Sequence, residues 1–137
     1  MSDVDDRQQI TDVLIRYATG IDTRDWPLFR TVFTEDCRLD YGEIGVWHGV
    51  DAVTEFMVAA HAPAGHTMHR ITNPVVTVDG DTARARAYVD ALIMAADNDS
   101  GVHAAGVYDD EFVRTDRGWR LARRRFTTVL VETVGTS

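Results

Sequence analysis

The chain contains no lysine; all 14 of its basic residues are arginine. A Schiff base with a carbonyl substrate or with pyridoxal phosphate therefore has no amine on which to form. Serine is scarce as well. Ser2, Ser100 and Ser137 fall at the two ends and in a polar loop, so a serine nucleophile mounted on a rigid element has no candidate. A single cysteine, Cys37, leaves no internal disulfide and suits a reducing compartment. No apolar run reaches the length of a membrane span. The start, MSDVDDRQQ, has neither the basic nor the apolar region of a secretory leader. The expectation is a cytoplasmic protein with no membrane partner.

Positive charge is also in deficit, with a formal net charge of −8. Such a surface repels a phosphate backbone, so nucleic acid is not an expected partner. The one basic cluster, Arg120 with Arg123, Arg124 and Arg125, falls in an expected strand, where alternation sends Arg123 and Arg125 to one face and Arg120 and Arg124 to the other. With 137 residues the chain is read as one domain, 1–137, because a second core would leave neither half enough to bury.

What is present begins with a helical stripe. Ile10, Val13, Leu14, Tyr17, Ala18 and Ile21 recur at three and four residues and predict a helix over residues 5–21. Gly20 fits its end; Asp25, Trp26 and Pro27 fit the start of a second helix reaching about residue 34. A short hairpin over 38–41 and 46–48 and a third helix over 50–60 follow. The period then changes to two. Residues 66–78, 82–95, 102–115 and 119–131 read as four long strands joined by the turns Asp79-Gly80-Asp81, a polar loop, and Asp116-Arg117-Gly118. Helices followed by a meander predict an α+β fold in which the N-terminal helices cover one side of a curved antiparallel sheet.

Asp22 lies four residues after Ala18 and so extends the apolar stripe inward. Near a helix C-terminus, the macrodipole and partial burial both favour the neutral carboxyl and strengthen it as a base. The competing reading is a group that only orders the turn into Asp25 and Trp26. His66 and His69 are an odd number apart in a strand, so they face opposite ways and do not share a metal ion. His69 shares its face with Ile71, Asn73 and Val75, His66 with Met68 and Arg70; alternation alone leaves open which face is concave.

The strand over 82–95 has a face of Ala83, Ala85, Ala87, Val89, Ala91 and Ile93 and another of Arg84, Arg86, Tyr88, Asp90, Leu92 and Met94. Small residues suit close packing, so the alanine face is assigned to the core, and Tyr88, Asp90, Leu92 and Met94 to a substrate pocket. For Asp90 the alternative is a rim residue paired with an arginine. Tyr108 is a candidate pocket donor or a core aromatic. Phe29, Phe33, Phe56, Trp47 and Trp119 read as core or pocket wall, and Asp109, Asp110 and Glu111 as a solvated or interface rim.

Three stretches, RYATGIDTRDWPLF, GHTMHRITNPVVTVDGDTARA and GVYDDEFVRTDRGWRLARR, with FTEDCRLDYGEIGVWHG between the first two, resemble the SnoaL-like branch of the nuclear-transport-factor-2-like superfamily. That branch resembles scytalone dehydratase, the hexachlorocyclohexane dehydrochlorinase and the bile-acid dehydratase. The resemblance implies a cone-shaped α+β barrel around a pocket, a homodimer or homotrimer, and lyase chemistry by an aspartate and a histidine. It selects Asp22 and His69 for those roles. It also aligns Tyr17 with a tyrosine of the bile-acid dehydratase and Arg114 with a pocket arginine of the dehydrochlorinase. Met94 stands where scytalone dehydratase has a second histidine, which disfavours that enzyme's substrate.

In such a dyad a carboxylate fixes one imidazole nitrogen and the other removes a proton, without any cofactor. The expected function is therefore a cofactor-independent lyase, of dehydratase type, acting on a small hydrophobic cyclic molecule through Asp22, His69 and Tyr17. The alternatives are an isomerase or cyclase of a steroid-like or polyketide-like substrate, with Asp22 itself moving the proton, and a non-catalytic small-molecule-binding protein.

Overall fold

Ser2 starts the first helix: its hydroxyl accepts the N–H of Asp5 at 3.2 Å, and Asp3, Asp5 and Asp6 sit at the positive end of the dipole. The computed structural model describes residues 2–135. In chain order the elements are α1 (Asp3–Asp22), α2 (Trp26–Arg30), β1 (Phe33–Asp40), a 3-10 turn (Gly42–Ile44), β2 (Val46–His48), α3 (Val50–His61) and four long strands. These are β3 (Ala64–Asp79), β4 (Thr82–Ala95), β5 (Ser100–Thr115) and β6 (Gly118–Gly135). The expected α+β architecture is therefore present.

The end of the second helix and the direction of β1 differ from the expectation for one physical reason. Asp25 caps α2 through the N–H of Leu28 and Pro27 occupies its first turn, as the sequence predicts. The helix nevertheless stops at Arg30 instead of near residue 34. The Val32 carbonyl accepts the N–H of Leu121, and Phe33 pairs with Leu121, so β6 recruits that backbone into the sheet. As a result β1 runs parallel to β6, and the sheet is mixed where a purely antiparallel one was expected. Its order is β2-β1-β6-β5-β4-β3, every other pair is antiparallel, and it does not close on itself.

The α1 stripe from Ile10 to Ile21 is buried in one cluster with Phe29, Phe33, Leu39, Val53, Met57, Phe112, Trp119 and Leu121. Each such aliphatic or aromatic side chain contributes about 1.5–3 kcal/mol on burial. Gly20 lets α2 cross α1 closely: a Cβ there would stand 2.9 Å from Phe29 Cα. At the distal turn Gly80 takes φ +61°, which glycine adopts without strain. β3 is bent where Asn73 has φ 54° and Pro74 follows, a bulge between Thr72 and Val75. Among the described residues, no helix is long and apolar enough to cross a membrane.

Candidate active site

Asp22 is the last residue of α1, and its side chain crosses to β3. Its Oδ1 lies 2.7 Å from Nδ1 of His69 and accepts the Thr67 hydroxyl at 2.9 Å. Its Oδ2 accepts the backbone N–H of His69 at 2.8 Å. The same Thr67 oxygen accepts from Arg24, whose guanidinium also holds the carbonyls of Ile21 and Gly65. Arg24 thus ties the end of α1 to the start of β3 and fixes the crossing at which Asp22 and His69 meet.

A carboxylate can only accept from Nδ1, so that nitrogen carries the proton and Nε2 is the free base. Burial pushes the Asp22 carboxyl up, but the ring and backbone hydrogen bonds from His69, its positive charge when protonated, and the Thr67 hydroxyl together hold it below the usual carboxylate range. This corrects the expectation that helix end and burial keep Asp22 neutral and basic. Both its oxygens are occupied by donors, and the bond to Nδ1 fixes the orientation of the imidazole.

The His69 side chain is 8% exposed and borders a cavity of about 180 Å³. The wall is mostly apolar. Tyr17 comes from α1, Phe56, Met57, Ala60 and His61 from α3, Val89, Ala91 and Ile93 from β4, and Ala104 and Tyr108 from β5, with Tyr41, Ile44 and Phe126 completing it. A larger solvent-open hollow of about 540 Å³ is bordered by Arg84, Arg86, Asp109, Glu111 and Arg125, charged side chains that include mutual ion pairs. The dyad is not there.

The cavity beside His69 is also bordered by a cluster of phenols. The hydroxyls of Tyr17 and Tyr41 are 2.8 Å apart, and the ring of Tyr17 packs edge-on against Tyr108. Burial raises the Tyr17 and Tyr108 pKa values well above normal, with Tyr41 adding to both against the pull of Arg124, so both stay protonated. Behind them lies Arg124, 2% exposed, its guanidinium 3.6 Å from the Tyr108 ring centre and 4.4 Å from that of Tyr17. Two hydrogen bonds of 2.8 and 2.9 Å join it to the buried Asp110. Burial raises the Asp110 carboxyl, against the pull of Arg124.

The structure therefore brings Asp22, His69, Tyr17 and Tyr108 together, and leaves the other sequence candidates outside. Tyr88, Asp90, Leu92 and Met94 occupy the β4 face opposite the cavity; Tyr88 is 45% exposed, and Asp90 pairs with Arg70 and His103. The cavity wall is instead the other face, at Val89, Ala91 and Ile93. That face packs as core at its alanine end and lines the cavity at the other, and a strand without a bulge cannot swap faces along the way. Arg114 is not in the cavity wall either. It forks onto Asp6 at 2.9 and 3.0 Å, reaches Asp81, and covers the Trp119 ring at 4.5 Å. Asp110, expected on a solvated rim, is buried. Sequence reasoning missed Arg124, Tyr41 and His61.

A model of the SnoaL-like domain matches residues 2–125. The chain belongs to the SnoaL-like domain family. Among its relatives, an uncharacterised protein of Mycobacterium tuberculosis is 32% identical over 129 residues, covering 90% of this chain and 86% of that one. A solved structure from Novosphingobium aromaticivorans, provisionally named an aromatic ring hydroxylase, is 34% identical with a TM-score of 0.87, covering 99% of this chain and 96% of that one. Another from the same organism, provisionally named a scytalone dehydratase, shares the fold at a TM-score of 0.83 and 22% identity, covering 95% of this chain and 87% of that one. Three helices against a mixed sheet are thus the frame of this SnoaL-like chain, and the two Novosphingobium structures superpose on it at those TM-scores.

Proposed function

We propose that this SnoaL-like cavity is the active site of a cofactor-independent lyase acting on a small, hydrophobic, ring-bearing substrate. The observation that carries the reading is the 2.7 Å contact between Asp22 and the Nδ1 of His69 at the wall of an apolar cavity. His69 Nε2 takes a proton from a ring carbon. The C–H electron pair becomes the new double bond as the adjacent C–O bond breaks, and the departing hydroxide leaves as water with the proton returned by the imidazolium. Asp22 stabilises that imidazolium, and general acid–base catalysis of this kind contributes about 10²–10⁴ in rate. In the Tyr17 and Tyr41 pair one hydroxyl gives its hydrogen to the other, and the hydroxyl left free donates to negative charge developing on a substrate oxygen.

An isomerase in which Asp22 moves the proton fits less well, because three donors already occupy its carboxylate. The size of the cavity supports one ring over a steroid-like skeleton, since about 150 Å³ of apolar space accommodates a benzene. The provisional name of the Novosphingobium relative, an aromatic ring hydroxylase, is consistent with a ring-bearing substrate. The test is to incubate the protein with monocyclic β-hydroxy ketones and follow product mass. Elimination gives a product lighter by one water; an unchanged mass with altered retention favours isomerisation, and no conversion favours binding alone.

A further inference from the structure

His61 is the last residue of α3 and stands four residues after Met57, on the same buried face of the helix. It is 7% exposed, and its ring borders the cavity 6.0 Å, centre to centre, from that of His69. Its Nδ1 lies 2.8 Å from the Met57 carbonyl oxygen. A carbonyl can only accept, so Nδ1 carries the proton and Nε2 presents a bare lone pair at the ring edge farthest from the helix. That Nε2 is buried with no hydrogen-bond partner. Burial pushes the pKa of this imidazole down, joined by the positive charge of Arg24 and by that of His69 when protonated, against the Met57 hydrogen bond and the Asp22 carboxylate, and it is held as a neutral acceptor. An acceptor left unpaired in an apolar interior destabilises the fold, and a ligand that brings a donor removes the penalty.

We propose that Nε2 of His61 accepts a hydrogen bond from a hydroxyl of the substrate, so that the cavity selects a single-ring alcohol or phenol over the corresponding hydrocarbon. This rests on the reading of the cavity as the substrate site. The two imidazoles then divide the work. His69, tied to Asp22, faces a carbon-bound proton, and His61, tied to its own helix, holds a hydroxyl about one ring width away. His61 is a specificity-determining residue in this arrangement: it is the base for nothing and keeps its own proton on Nδ1.

Phenol and toluene have nearly the same shape, and only phenol donates a hydrogen bond. Titration calorimetry of both against wild type and His61→Phe reads the contribution of Nε2 directly. The expected result is similar toluene affinity in the two proteins and a phenol-to-toluene affinity ratio lower by about fivefold or more in the variant. An unchanged ratio overturns the proposal. Because His61→Phe also removes the bond to Met57, nitrogen NMR of wild-type protein labelled in its histidines supplies a second reading that needs no variant. The His61 Nε2 resonance should start as a free acceptor and move toward a hydrogen-bonded one as phenol saturates. Bound phenol with a silent His61 sinks this inference alone, and failure of both ligands to bind wild type sinks the cavity reading with it.

Discussion

Nδ1 of His69 lies 2.7 Å from Oδ1 of Asp22, and Oδ2 of the same carboxylate takes the backbone N–H of the same histidine. Two contacts to one residue fix both the ring and the strand that carries it. The tautomer follows from that geometry, and with it the direction in which the basic nitrogen faces.

Thr67 positions this pair without bordering the cavity, donating to Asp22 while accepting from Arg24. Thr67→Val keeps the shape of the side chain and removes both bonds. We expect kcat on a substrate of the elimination reaction to fall about tenfold with KM little changed, since small misplacements of a catalytic group cost rate more than binding. Steady-state kinetics check this, and an unchanged kcat would remove Thr67 from the account.

The Arg124 and Asp110 pair sits wholly inside the protein behind the phenols. Arg124→Met leaves an uncompensated buried carboxylate and should lower stability by about 3–5 kcal/mol in urea unfolding. The double variant Arg124→Met with Asp110→Leu should recover most of that loss, because replacing both charges by apolar groups avoids the desolvation penalty. A single-variant loss below about 1 kcal/mol would show that water reaches the pair.

Gly20→Ala tests how closely the first two helices cross. In an open helix the change stabilises by about 1 kcal/mol. Here the new Cβ meets Phe29 backbone atoms at 2.9 and 3.0 Å, so we expect destabilisation of about 1–3 kcal/mol instead. Thermal melts of the two proteins give the sign.

Asp6 accepts from both Arg114 and the Trp119 indole, and these bonds hold its carboxyl down to about 2. Its folded value lies below the unfolded one of about 3.9, so the stabilisation is fully present above that pH. It is lost as the pH falls from there toward 2. Unfolding free energies measured across this range should drop more steeply in wild type than in Asp6→Asn; parallel curves would contradict the assignment.

Most of the fold was legible because its signals are local. The α1 stripe, the Asp25 cap with Pro27, and the two glycine turns around β4 and β5 each depend on neighbours in sequence. The parallel entry of β1 beside β6 was not legible, since it is set by Leu121, nearly ninety residues from Phe33. Within the site, alternation on β3 divided His66 from His69 without saying which was inside, and the resemblance to the SnoaL-like branch selected His69. On β4 the reading failed because alanines suit both tight packing and cavity walls. Asp110 and Arg124 carried a usable signal: Asp110 alternates with Tyr108 and Phe112, both core residues. Its charge outweighed that pattern. His61 was readable too, four residues beyond Met57 and eight beyond Val53 on the buried face of α3.

The central claim is that His69 acts as a base because Asp22 holds its tautomer and stabilises the imidazolium that forms. The direct measurement is the rate of water loss from a monocyclic β-hydroxy ketone, followed by product mass, for wild type and Asp22→Asn side by side. The account predicts turnover by wild type and a kcat lower by about 10²–10⁴ in the variant, with the fold intact by circular dichroism. Equal turnover by the two proteins would contradict it.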